Sequence, residues 1–314
     1  MNCLIPFQSR EVVLMSMEKR MLGNTGMEVS VLGFGGAEIG FEEASADNVE
    51  RLLMAALDQG LNIIDTAECY LGSEELIGKT VSHRRDDFYL FTKAGHGRDP
   101  SIPAWTYEEV TASIEQSLRR LKLECLDLVQ LHSCGEDVLR KGEVIRALQD
   151  AKANGKTRFI GYSGDSTAAV YAIESGEFDT LQTSVNIADQ EALELTLPKA
   201  IERGMGVIAK RPIANVAWRY KSKPENSYHQ EYWERLQELK YDFVNGDSDH
   251  AVAIALKFTL AVPGIHTAIV GTAKPGRWKT NANLLASGQI SKSKFAKIRD
   301  RWDKTAKANW VGQN

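Results

Sequence analysis

Three ionisable side chains stand at the ends of successive short apolar runs. Asp65 closes LNIID (61–65), Lys93 follows FYLFT (88–92), and His132 closes LDLVQLH (126–132). Tyr70 lies just beyond Asp65. Packing of an apolar core gives no reason for charged tips of this kind, whereas proton transfer does. A phenol, with a pKa of about 10, is a poor acid at neutral pH, and a neighbouring ammonium lowers that pKa. An ammonium in a half-buried setting itself needs a carboxylate. Asp65, Lys93 and Tyr70 therefore form a chain in which carboxylate holds ammonium, ammonium tunes phenol, and phenol gives a proton. His132 adds a hydrogen bond to the same substrate oxygen.

Those tips need a scaffold that brings them to one place. Eight short, β-branched runs recur along the chain: VLGFG (31–35), LNIID, FYLFT, LDLVQLH, TRFIGYS (157–163), FDTLQTSV (178–185), GVIAK (206–210) and HTAIVG (266–271). Helical patterns separate them over 47–59, 73–79, 143–154, 167–175, 193–203 and 248–260, several ending at a glycine. Another helix opens with a capping box at Thr106 and Glu109. Regular β-then-α alternation predicts a parallel sheet with right-handed crossovers. Eight repeats without a linker predict a (β/α)8 TIM barrel, in which such tips gather at one mouth. An open doubly wound sheet would carry G-x-G-x-x-G after its first strand, and GFGGAEIG (33–40) does not fit. KRMLGNTGMEVS (19–30) reads as an N-terminal hairpin. Phe295, Ile298 and Trp302 place an extra amphipathic C-terminal helix over 291–305. Residues 17–314 read as one domain; 1–16 read as an extension, disordered or preceding a true start at Met17.

Composition narrows the class. The 314 residues are 43% hydrophobic and 25% charged, which excludes a disordered or collagen-like chain. Four cysteines form neither a C-x-x-C pair nor a zinc spacing with the histidines, so no metal is expected and the thiols read as reduced. No apolar run is long enough to span a bilayer and no signal peptide is evident, giving a cytoplasmic reading. The net charge of −4 conceals an asymmetry: from Lys274 onward the chain carries +8, against −12 before it. No nucleic-acid motif accompanies that basic segment. Nucleic acid, membrane and an obligate protein partner are all left out of the expected partners, which reduce to a small molecule.

DTAECY (65–70), FTK (91–93), LDLVQLH (126–132), GKTRFIGYS (155–163) and IVGTAKPGRWKTN (269–281) resemble the aldo-keto reductase superfamily in order and approximate spacing. The resemblance runs from about Lys19 to Asn283. It implies NADPH-dependent reduction of an aldehyde or ketone to an alcohol, or the reverse, on a (β/α)8 barrel. Asp65, Tyr70, Lys93 and His132 match the family's catalytic tetrad, with Tyr70 as general acid. Ser163, Gln182 and Asn186 would meet the nicotinamide carboxamide, with Gly164 standing where an asparagine is usual. Lys210, at the tip of the seventh strand, joins this cofactor-facing set.

The far end of the cofactor falls on GTAKPGR (271–277). A turn before the final barrel helix offers backbone N–H groups to a phosphate, and Thr272, Lys274 and Arg277 add a hydroxyl and two cations. By the resemblance this is the 2′-phosphate site, with Asn281 near the adenine. Gly271 replaces a lysine common in some members, so NADH is admitted beside NADPH/NADP+. For the substrate, Trp105 and Trp218 are the candidate walls, the latter within RPIANVAWRY (211–220). Residues 221–247 include a helix in a lid-like excursion. Two other functions share these residues: a Schiff-base lyase using Lys93, and a slow-turnover cofactor-binding regulatory subunit.

Overall fold

Inward-facing positions alternate along a strand, so one parity fixes which residues fill a barrel. Here that parity starts apolar and turns polar. Ile63, Phe91, Leu128, Ile208 and Ile269 form a buried inner cluster. Two residues further along the same strands stand Asp65, Lys93, Gln130, Lys210 and Gly271.

The computed structural model describes residues 17–97, 99 and 101–313; the extension read over 1–16 lies outside the described residues. An antiparallel hairpin, β1 (Lys19–Met21) and β2 (Glu28–Ser30), precedes the barrel. The barrel strands are β3 (Leu32–Gly35), β4 (Ile63–Asp65), β5 (Tyr89–Ala94), β6 (Leu126–His132), β7 (Thr157–Ser163), β8 (Thr180–Ser184), β9 (Gly206–Lys210) and β10 (Thr267–Gly271). They pair in parallel, and β10 closes on β3. The expected (β/α)8 barrel is thus observed, with the hairpin as its floor. Leu22, Met27 and Val29 are buried against the inner cluster. Gly23 admits the close approach: a Cβ there would stand 2.3 Å from the Gly206 nitrogen.

The elements keep their expected places with local differences. Lys93 lies inside β5, because the ladder to β6 continues through Ala94. The helix read over 193–203 is two short ones, Ala192–Leu195 and Leu197–Glu202. Pro198 opens the second, since its ring cannot continue the first. The capping box is half made: Glu109 N donates to Thr106 Oγ1 at 3.2 Å. The Glu109 carboxylate instead accepts from Gly97 N and Ser113 Oγ.

The excursion after β9 is a folded cover made of a 3-10 turn (Ala214–Arg219), the helix Ser227–Leu239 and a second turn (Asp242–Asn245). The C-terminal helix Lys292–Thr305 lies on the barrel's outside, burying Ile298 and Trp302 and stacking Phe295 on Phe258. Cations here meet acids and carbonyls of the barrel and its cover: Arg299 pairs with Glu194, Arg301 reaches Leu239 O, and Lys307, beyond the helix end, pairs with Glu238. Docking thus pairs two cations of the basic segment, Arg299 and Lys307, with acids outside it. Among the described residues no helix is long and apolar enough to cross a membrane.

Candidate active site

The barrel brings Asp65, Tyr70, Lys93 and His132 together. Lys93 Nζ donates to Asp65 Oδ1 at 2.5 Å and to Thr66 O at 2.9 Å, with lysine and aspartate both buried. The same ammonium faces the Tyr70 ring, 5.1 Å from its centroid. The Tyr70 and His132 rings meet edge to face at 5.6 Å. Phe41 packs on another side of Tyr70 at 5.6 Å.

Electrostatics at this cluster separate what sequence reasoning joined. Burial pushes the Tyr70 phenol up to about 12; Lys93 pulls it down, but less. The tyrosine therefore stays protonated at neutral pH. Burial opposes the Lys93 ammonium, yet Asp65 and Tyr70 outweigh it and hold the pKa above the usual lysine range. Burial, with Lys93 adding repulsion, drives His132 well below the usual histidine range, so its imidazole is neutral.

Asp65 is the hub of a wider network. Its Oδ2 accepts from Gln182 Nε2 at 2.9 Å, with Gln130 Nε2 at 3.4 Å. Ser163 Oγ donates to Gln182 Oε1 at 3.1 Å. Ser163 and Gln182, expected to face a carboxamide, are therefore already linked to the tetrad, each with hydrogen-bonding capacity left over. Asn186 is buried nearby in sequence; its Oδ1 accepts from Ala188 N, while its Nδ2 has no partner among the described residues. Lys210 has a structural partner of its own. It pairs with the buried Asp165 at 2.8 Å, and Asp165 also accepts from Thr183 Oγ1 and Ser184 N.

At the tip of β10, Thr272 Oγ1 accepts from Lys274 N at 3.0 Å, and Lys274 is exposed. The helix Arg277–Ala286 starts behind Gly276 with no side-chain cap, leaving first-turn N–H groups open to an anion. Asn281 is buried with an unpartnered Oδ1. Arg277 is in place but ion-paired with Asp249. Gly271 has a reason of its own: a Cβ there would stand 1.6 Å from Glu38 Oε2. The carboxylate of Glu38 fills the niche that the glycine leaves.

Of the substrate walls, Trp105 packs edge to face on His96 at 4.7 Å, and His96 on His132 at 5.3 Å, which puts Trp105 at the rim. Trp218 is half-buried in the cover, packed on core side chains with its Nε1 unpartnered. The intervening backbone is strained: Ala214, Asn215 and Val216 all have φ near +50°, a region costly for a β-branched residue.

Several contributors escaped the sequence. Cys69 Sγ lies 3.4 Å from His132 Nδ1. Glu68, buried, accepts from the N–H groups of Gly95 and His96 at 2.7 Å each and so shapes the β5 tip. Both sit inside DTAECY, but their spacing gave no signal. Arg211 reaches across to the chain's far end, donating to Gln313 O, which also accepts from Ser184 Oγ at 3.1 Å. Arg235 donates to Val311 O at 2.7 Å, and Gly312 N to Glu191 Oε2 at 2.7 Å. Residues 311–313 thus strap the tips of β8 and β9.

Comparison with known proteins agrees with this geometry. A family model described as the aldo/keto reductase family matches residues 31–303. An L-galactose dehydrogenase of Arabidopsis thaliana is 29% identical over 279 residues, spanning 84% of this chain and 86% of that protein. A D-threo-aldose 1-dehydrogenase of a Pseudomonas species is 28% identical over 300 residues, spanning 83% and 91%. Among solved structures, an aldo-keto reductase from Bacillus halodurans in its holo form superposes with a TM-score of 0.80 at 24% identity, covering 94% of this chain and 99% of that one. With strand-tip chemistry, barrel topology and a family match across most of its length, the chain is an oxidoreductase belonging to the aldo/keto reductase family.

Proposed function

We propose that this protein is an NADP(H)-dependent reductase of a small aldehyde or ketone, running also in reverse on the alcohol, with Tyr70 as the general acid. The observation that carries the reading is the placement of the Lys93 ammonium, held by Asp65 at 2.5 Å and facing the Tyr70 ring at 5.1 Å. A proton donor that must become an anion is thereby set beside a fixed positive charge.

The residues fit a nicotinamide dinucleotide. The uncapped helix start behind Gly276, the unpartnered Asn281 Oδ1 and the Thr272 turn suit its phosphate and adenine end. Ser163, Gln182 and Asn186 suit the amide end, where Asn186 Nδ2 still lacks an acceptor. Lys274 and Arg277 would meet a 2′-phosphate. When bound, such a cofactor supplies the hydride.

The chain's own groups handle the substrate oxygen. Tyr70, protonated at neutral pH, donates its Oη proton to that oxygen as carbon is reduced. Lys93 stabilises the phenolate left behind, and Asp65 keeps Lys93 charged and oriented. Neutral His132 hydrogen-bonds the carbonyl oxygen and fixes its direction. Trp105 and Trp218 border the substrate, and the cover over 211–247 limits water. A Schiff-base role for Lys93 needs a free amine, and the raised pKa of this buried, carboxylate-bound ammonium works against it. Two relatives are named for oxidising sugars, so aldoses and their lactols come first among substrates.

The test is Tyr70→Phe, assayed by NADPH oxidation over a panel of aldehydes and ketones and by NADP+ reduction over aldoses, with NADPH binding followed by tryptophan fluorescence. Turnover should vanish while binding stays nearly intact. Unchanged turnover would reject Tyr70 as the acid.

A further inference from the structure

His132 is neutral, so its ring carries one proton on one of two nitrogens. Which nitrogen bears it decides what the site offers a substrate. A protonated Nε2 can donate to a carbonyl oxygen; a bare Nε2 presents a lone pair to that oxygen and repels it.

Among the described residues, Tyr70, His96 and Cys69 meet the ring or its backbone, and Cys69 addresses a ring nitrogen. Tyr70 meets the ring edge to face. His96 also packs edge to face, but its Nε2 lies 2.8 Å from the backbone oxygen of His132. Cys69 Sγ stands 3.4 Å from Nδ1, within range for a hydrogen bond involving sulfur. A thiol carries one S–H donor and is a weak acceptor. Pairing that S–H with a bare Nδ1 uses the better half of each group. The opposite arrangement sets an N–H against a poor acceptor.

We infer that Cys69 is a positioning residue that fixes His132 as its Nε2–H tautomer, making the histidine a hydrogen-bond donor to the substrate oxygen. Its effect on turnover rests on the carbonyl-reductase reading above; its effect on the tautomer does not. Cys69 touches no reacting atom in this account. It acts through His132, and it occupies the position immediately before Tyr70, so one short segment supplies both the acid and the group that orients its partner.

The measurement is the 15N spectrum of the full chain labelled at histidine, with the His132 signals assigned by their loss in His132→Gln. Wild type should show a pyrrole-type Nε2 and a pyridine-type Nδ1. Cys69→Val should give a mixture of tautomers, with kcat lowered about tenfold, the size expected for one lost neutral hydrogen bond. Cys69→Ser, whose hydroxyl can donate to the same nitrogen, should restore both. Cys69→Ala serves as a second truncation if the valine variant does not fold. A protonated Nδ1 in wild type, or an unchanged tautomer in both truncations, overturns the assignment. A tautomer that shifts as expected in a protein reducing no carbonyl supports the role of Cys69 while removing the proposed function.

Discussion

Arg277 meets Asp249 across the start of the last barrel helix, Nη1 to Oδ1 at 2.9 Å, with both side chains partly exposed. The cation expected to clamp a 2′-phosphate already holds a carboxylate. An exposed pair of this kind stabilises the fold little, so a dianionic phosphate can compete for the guanidinium. Arg277→Ala should weaken NADPH far more than NADH, and Asp249→Asn should tighten NADPH several-fold by releasing the arginine. Fluorescence titrations with both cofactors measure this, and equal losses for the two in Arg277→Ala would remove the clamp.

Glu38 brings a second carboxyl to the same strand tip. Its carboxylate fills the niche beside Gly271, and burial holds its pKa above the usual range. Glu38→Gln should tighten NADPH at pH values where the carboxyl is ionised, by removing a negative charge near the expected phosphate, and should have less effect at lower pH. Gly271→Ala should force the Glu38 side chain out of its niche. Cofactor affinities unmoved in both variants would show that the β10 tip lies away from the phosphates.

The Asp65–Lys93 pair is buried, and losing one partner leaves an uncompensated charge. Asp65→Asn should destabilise the protein by about 3–5 kcal/mol. Combining it with Lys93→Met should recover most of that stability and none of the turnover. Denaturant midpoints of the two variants decide the matter; a double variant no more stable than Asp65→Asn would contradict the pairing.

Glu68 gives the fold a pH dependence. Burial, aided by Glu109, raises its carboxyl to about 7, against the pull of Ser113 and two backbone N–H groups. A carboxyl raised in the folded state stabilises fully below its unfolded pKa, and that stability is lost as pH rises through the folded value. Wild type should therefore lose up to about 3 kcal/mol from this group between pH 4.5 and about 7. Glu68→Gln should flatten that slope. Parallel melting curves for the two proteins across the range would exclude the effect.

How far the sequence reached follows from the distance over which each signal acts. The strands, their order and the tips that carry Asp65, Lys93 and His132 were legible because alternation and glycine stops are local. The same parity that buries Ile63 and Phe91 carries Asp65 and Lys93 to the mouth. Pro198 was a local sign too, and it marks the break in the helix read as continuous. Cys69 on His132 and Lys210 on Asp165 were not legible, since each partner is chosen in three dimensions from many side chains of suitable type. The lowering of Tyr70 by Lys93 was readable as a direction, but the larger opposing effect of burial needed the fold.

The strap at residues 311–313 separates closing the barrel from ordering its rim. Arg211 waits for a carbonyl 102 positions later in the chain, and Ser184 for one 129 positions later. Strand pairing through β9 and β10 needs neither, so the barrel can close before its rim is tied. Tying the rim thus adds order at the tips of β8 and β9 to a barrel whose strand pairing does not depend on it. The backbone is also tight there, for a Cβ at Gly312 would stand 2.4 Å from Asp165 Cβ. Gly312→Val should leave a barrel that melts as one unit but shows faster amide exchange at the tips of β8 and β9.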